Sequence, residues 1–81
     1  MKGDGRVEIY ANKNGTSNIY AFEIFDDFIN VLFNGSPKVY TYSYRIAGKE
    51  HVENMKNLAK CGYGLNGYIN RYVKYQYDRY S

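Results

Sequence analysis

The sequence predicts an α+β domain: an antiparallel β-meander of about four strands with two C-terminal helices packed on one face. Three observations carry this. Residues 6–45 fall into short runs in which apolar and polar side chains alternate, the period of a half-buried strand. Asn14-Gly15 and Asn34-Gly35 punctuate those runs, and both residue types tolerate the positive φ that tight turns need. After Gly48 the apolar residues change to helical spacing.

The first strand is expected over residues 6–11, where Val7 and Ile9 alternate with Arg6, Glu8 and Tyr10. A turn follows at residues 12–15. The second strand, residues 18–25, would set Tyr20, Phe22 and Ile24 on one face and Ile19, Ala21 and Glu23 on the other. Asp26-Asp27 makes a tight turn into residues 28–33, whose apolar face is Ile29, Val31 and Phe33. Pro37 bars an early ladder bond after the second Asn-Gly turn. Residues 38–45 form the fourth strand, with Tyr40, Tyr42 and Tyr44 on one side and Val39, Thr41 and Ser43 on the other. Connections this short favour antiparallel neighbours, since parallel pairs need long crossovers.

Residues 49–60 read as a helix with Val52, Met55, Leu58 and Ala59 inward and Glu50, Glu53, Lys56 and Lys60 outward. Glu53 and Lys56 are spaced to pair on its surface. Gly62 and Gly64 end it, as glycine does at a left-handed cap. A second helix starts near Leu65, its buried stripe Leu65, Tyr68, Ile69, Tyr72 and Val73, with Asn66, Asn70, Arg71 and Lys74 opposite. Residues 1–5 and 77–81 are expected to fray. The tyrosine-rich segment 75–80 lies past the stripe, and such a tail docks on its own domain or on a partner.

With 81 residues the chain has room for one domain. Its aromatic fraction of 19% argues against disorder. Eleven tyrosines and no tryptophan suit either a thin core or an adhesive surface, because the ring is apolar and the tip polar. Cys61 is the sole cysteine, which excludes an intrachain disulfide and makes the reducing cytoplasm the expected compartment. No apolar run follows Lys2, so a secretory leader is not expected. No run approaches the roughly 18 apolar residues of a membrane span, so a soluble protein is expected. The net charge of +3 is uneven: residues 1–44 carry four bases against five acids, residues 45–81 seven against three. A basic half is permissive for a polyanion.

Catalysis finds little support. His51 and Cys61, the lone histidine and lone cysteine, sit ten residues apart on one expected helix, about 15 Å at its rise. They form no dyad, and one of each cannot build a zinc site. Cys61 is expected to be buried near the helix end, and His51 to lie on the surface of the first turn. Asp26 and Asp27 are turn residues before they are metal ligands. Gly62-Tyr63-Gly64 with Gly67 fits the loose dinucleotide fingerprint, but that motif must follow a strand and here follows a helix. No enzyme activity, cofactor or metal is expected.

The remaining pattern interleaves aromatic and basic residues. Tyr40 and Tyr42 are candidate stacking residues, with Arg45, Lys60, Arg71 and Lys74 as candidate phosphate contacts. The bland reading of the Tyr40 row is ordinary sheet packing against the helices.

The order Ser17-Asn18-Ile19, Phe33-Asn34-Gly35, Tyr40-Thr41-Tyr42 and Gly62-x-x-Leu65-Asn66-x-x-Ile69 resembles the KTSC domain, a family named after the C-terminus of certain lysyl-tRNA synthetases. The resemblance spans about residues 16–75. It departs at Arg45-Ile46-Ala47-Gly48, where the family carries Val-Pro, at Lys60-Cys61 in place of Ser-Lys, and at Leu65 in place of Phe. It implies a small RNA-binding module and singles out Tyr40, Tyr42 and Asn66. Two functions are therefore expected. The first is a non-catalytic module binding RNA or single-stranded DNA. The second is a protein-interaction module of phage or mobile-element type, inhibiting a host defence or nucleic-acid enzyme, or working as a homodimer.

Overall fold

A computed structural model describes residues 7–13 and 15–80, with side chains up to residue 78. The fold is α+β: one open antiparallel sheet with the helices on one face. The strands are β1 (Glu8–Ile9), β2 (Ile19–Ile24), β3 (Phe28–Phe33), β4 (Val39–Ser43) and β5 (Arg79–Tyr80), paired in chain order. Between β4 and β5 come α1 (Lys49–Cys61) and α2 (Leu65–Tyr68), which runs on as a π-helical segment, Ile69–Val73. Among the described residues no helix is long and apolar enough to cross a membrane.

The hairpins follow their turn residues. Phe25 N–H donates to the Phe28 carbonyl at 3.0 Å across Asp26-Asp27, and Ser36 N–H to Phe33 at 3.2 Å across Asn34-Gly35. Asn12 takes a φ of 53°, and its side-chain oxygen accepts the Ser17 N–H at 3.0 Å, so the loop into β2 closes on itself.

The core lies between the sheet and the helices. Ile19, Phe22, Ile29, Val31 and Tyr42 from the strands meet Val52, Met55, Ala59, Leu65, Ile69 and Val73 from the helices. Two strand phases differ from the alternation in the sequence. In β2 the pairing jumps from Ile19↔Phe33 to Ala21↔Leu32, so Tyr20 is the extra residue of a β-bulge. The bulge turns Ile19 inward with Phe22 and leaves Tyr20 exposed. In β1, Val7 and Ile9 are exposed and Tyr10 is buried instead, its hydroxyl accepting the Leu65 N–H at 3.1 Å. That bond satisfies a first-turn amide of the second helix, which periodicity cannot report.

The C-terminal segment returns to the sheet as β5. Asp78 N–H donates to the Thr41 carbonyl at 2.7 Å, and the Asp78 carboxylate accepts both the N–H (3.1 Å) and the hydroxyl (2.8 Å) of Ser43. Tyr77 packs edge-on against Tyr40 and Tyr42, with centroids 5.0 and 6.2 Å apart. These anchors bring β5 onto β4 as a fifth strand. The expected fraying of residues 1–5 and of Ser81 lies outside the described residues.

Lys56 also departs from its expected surface position. It is 7% exposed, its ammonium 2.8 Å from Glu53 and donating to the Asp26 carbonyl at 2.7 Å. A buried ammonium needs such partners, and here they tie α1 to the β2–β3 turn. The Tyr44 hydroxyl donates to the same Glu53 carboxylate, while the Lys49 and Lys56 ammoniums lie 5.9 and 5.4 Å from the Tyr44 ring centroid.

This network sets an alkaline limit. The bond to Glu53, reinforced by desolvation, raises the Tyr44 phenol to about 12 from 10.0. Burial also pushes the Tyr42 phenol well up, helped by Tyr40 and Tyr77. A raised folded value means that the native state holds the proton more tightly. The stabilisation is therefore complete below the ordinary value of 10.0 and is lost as pH climbs through about 12. Urea unfolding at stepped pH should show stability falling across that window, and less steeply in Tyr44→Phe. Equal slopes in the two proteins would dismiss the Tyr44–Glu53 contribution. At the acid end Glu53, held low by Lys56 and then Tyr44, contributes fully above the usual carboxylate value of 4.5 and loses that contribution progressively as pH falls from there through its lowered value.

Candidate functional site

The tyrosine row of β4 points toward the helices. Tyr42 pairs with Ile29 and Tyr40 with Val31, and both partners are core residues. Tyr42 is 1% exposed, so its ring has no free face on which a base could lie. The expected stacking role of Tyr42 is thus corrected: the row is sheet packing, as the alternative reading had it. Tyr40 is half-buried and reaches an edge of the core that remains open.

At that edge is a groove of about 380 Å³. One wall is the β3–β4 hairpin, with Phe33, Asn34, Ser36 and Tyr40. The other is the π-helical segment and the tail, with Ile69, Asn70, Lys74, Tyr75 and Tyr77; Asn18 and Tyr42 complete the lining. Phe33, Tyr40 and Tyr77 form an edge-to-face series, with centroids 5.4 and 5.0 Å apart. Tyr75 is 74% exposed and the Lys74 ammonium stands 5.5 Å from its centroid. Among the described residues the lining holds one cation and no carboxylate.

The tail explains why this groove exists. Tyr75 and Tyr77 reach it only because Asp78 and β5 fasten the chain to β4. The π-helical winding also contributes, because i→i+5 bonding takes more residues per turn than the α-helix. A strict step of four then keeps Leu65, Ile69 and Val73 inward. Tyr72, expected in the buried stripe, is instead 52% exposed and has the Arg71 guanidinium 5.8 Å from its centroid.

Of the sequence-derived candidates, Tyr40, Tyr42 and Lys74 line the groove. Arg71 sits on the same π-helical segment, exposed and beside Tyr72. Arg45, in the β4–α1 turn, and Lys60, near the end of α1, are exposed but do not line it. Phe33, Asn70, Tyr75 and Tyr77 were not singled out as a site by the sequence, although Tyr75 and Tyr77 belong to the tyrosine-rich segment 75–80. Six of the residues on which the KTSC resemblance rests (Asn18, Phe33, Asn34, Tyr40, Tyr42 and Ile69) converge here from four separate segments.

A second cleft, about 300 Å³, lies where the loop before β2 meets the α1–α2 turn, lined by Thr16, Ser17, Tyr63, Gly64, Asn66 and Gly67. Gly62 and Gly64 take φ of 79° and 88°, so the glycine motif makes a helix–helix turn.

His51 and Cys61 stand at opposite ends of α1. Cys61 is exposed, against expectation, because the helix ends with its other face on the core. His51 is half-buried: its Nδ1 lies 2.7 Å from the Tyr68 hydroxyl and its ring stacks on Tyr72 at 5.6 Å. Asn54 donates to the same hydroxyl at 3.0 Å. Among the described residues no three His, Cys, Asp or Glu side chains are grouped to hold a metal ion.

No protein-family model, no curated protein and no solved structure matches the chain.

Proposed function

We propose that this protein is a small non-catalytic module that binds RNA or single-stranded DNA, with the groove beside Lys74 as its central contact. The observation that carries the reading is the lining itself: aromatic rings and amides with, among the described residues, one cation and no opposing carboxylate. Exposed Tyr72 and Tyr75, each with a cation close to its ring, extend the same chemistry along the π-helical segment. Unstacked bases gain roughly 1–3 kcal/mol each on such rings. The basic C-terminal half and the resemblance to the KTSC domain support the same reading. A cytoplasmic site of action is part of it, in keeping with the single unpaired cysteine.

Fluorescence anisotropy with end-labelled mixed-sequence RNA and single-stranded DNA over a salt series tests this. Affinity is expected to fall with salt, and Lys74→Gln to reduce the log–log slope by about 0.7, the value for one phosphate on a single strand. Tyr75→Ala is expected to weaken binding by roughly 1–3 kcal/mol. A flat salt response, or no binding to either polymer, refutes it.

A second reading is favoured by the outer sheet face, where Ile9, Ala21, Leu32 and Val39 are paired in a row across four strands. Within the row Ile9 is 64% exposed, Leu32 and Val39 are half-buried and Ala21 is buried, and Val7 and Tyr20 are also exposed. Such a surface fits a protein-interaction module, including one that inhibits a host defence or nucleic-acid enzyme, or a homodimer. Pull-down after nuclease treatment and sedimentation over a concentration series separate these: a retained protein partner or a mass-action dimer supports it, and neither discards it.

A further inference from the structure

We infer that the groove between the β3–β4 hairpin and the π-helical segment is a single-nucleotide subsite, seating one base between its walls with that nucleotide's phosphate on Lys74. The inference rests on the nucleic-acid reading and narrows it, from a strand-tracking surface to a pocket for one unit. Its chemistry is shared by two sources, one nucleotide of a strand and a free mononucleotide.

Three observations lead there. The volume, about 380 Å³, is near the bottom of the roughly 300–1,000 Å³ range of small-ligand sites. Strand-tracking folds take roughly 4–16 nucleotides along a charged path, whereas the described residues of this lining offer a single cation. No ion pair engages Lys74 among the described residues; its ammonium stands 5.5 Å from the centroid of the Tyr75 ring. One cation without a carboxylate opposite matches one phosphate.

The polar residues complete the match. The Asn70 side-chain amide has no partner among the described residues, and the Asn34 side-chain amide has only a long 3.5 Å contact to the Ser17 carbonyl. Both amides lie at the walls of the groove. An amide offers a donor and an acceptor side by side, the pattern that pairs with a base edge, adenine's above all. The aromatic lining from Phe33, Tyr40, Tyr75 and Tyr77 supplies the apolar contact that the base needs.

The test is a titration of ¹⁵N-labelled protein, followed by amide shifts, with adenosine monophosphate, with adenosine, and with a mixed-sequence single-stranded DNA octamer. The monophosphate and the octamer are expected to move the same amides, those of Tyr40, Asn70 and Tyr75, and the monophosphate to displace a labelled octamer. Adenosine should bind about tenfold or more weakly, the worth of one charge-assisted contact. Lys74→Gln, an exposed position, should abolish that difference. If the octamer shifts the groove and millimolar monophosphate does not, the single-nucleotide subsite is wrong while the nucleic-acid reading stands. If the octamer binds without shifting the groove, the subsite is also wrong. If the monophosphate binds there and no strand does, the subsite holds for free nucleotide and the nucleic-acid reading fails. If nothing binds, both fail.

Discussion

Gly62→Ala is expected to destabilise the protein by roughly 2–5 kcal/mol, the sum of a left-handed backbone penalty and overpacking. Gly62 closes α1 with φ of 79°, its N–H bonded to the Leu58 and Ala59 carbonyls at 2.9 and 3.2 Å. An added Cβ would stand 2.5 Å from the Ala11 Cβ and 3.4 Å from its Cα. Nor has that part of the chain an easy way to yield. The Gly62 carbonyl accepts the Lys13 N–H at 2.8 Å, so the segment after β1 is stitched to the helix end at the point of contact. Gly35→Ala is the control. Its φ of 76° is similar, but nothing lies within 4 Å of the added carbon, leaving only the backbone penalty. Chemical denaturation of the two variants should separate them by the packing contribution. Equal losses would mean that the Ala11 contact gives way at no cost.

Tyr42→Ala is expected to cost about 3–5 kcal/mol, the range for emptying a large aromatic site in a core. Tyr42 is 1% exposed, set against Ile29 in the sheet and Tyr77 from the tail. The truncation removes the ring on which the tail rests, so the groove wall built by Tyr75 and Tyr77 should loosen with it. A ligand-stacking residue would behave differently, losing affinity while the unfolding midpoint stayed in place. Thermal and urea midpoints measured beside oligonucleotide affinity decide between these roles. An unchanged midpoint would return Tyr42 to the binding surface.

Much of the fold was legible. Alternation located the first four strands, the Asn34-Gly35 and Asp26-Asp27 turns set the hairpins around β3, and the change of period after Gly48 placed α1 within a residue. What escaped has specific causes. One extra residue at Tyr20 shifts the phase of β2, and alternation read from either side of a bulge gives the wrong face. Lys56 looked like a surface residue because helical spacing records position and not partners; the Asp26 carbonyl that receives its ammonium is 30 residues away. The stripe in the second helix assumed 3.6 residues per turn, and the π-helical winding moved Tyr72 out of it. Tyr40, Tyr42 and Lys74 are the part of the lining that was visible as candidates. Others, among them Phe33, Asn70, Tyr75 and Tyr77, belong to segments with no local signal to join them.

The amino-acid order by itself determined the α+β class, the strand succession and the lack of a Cys–His pair within reach on one helix, because these follow from spacing along the chain. Only the tertiary structure decided that the β4 tyrosines face inward, that the tail returns as β5, and that a groove opens between them. Those outcomes depend on long-range contacts, above all Asp78 on Ser43 and Tyr77 on Tyr40, for which a sequence carries no period.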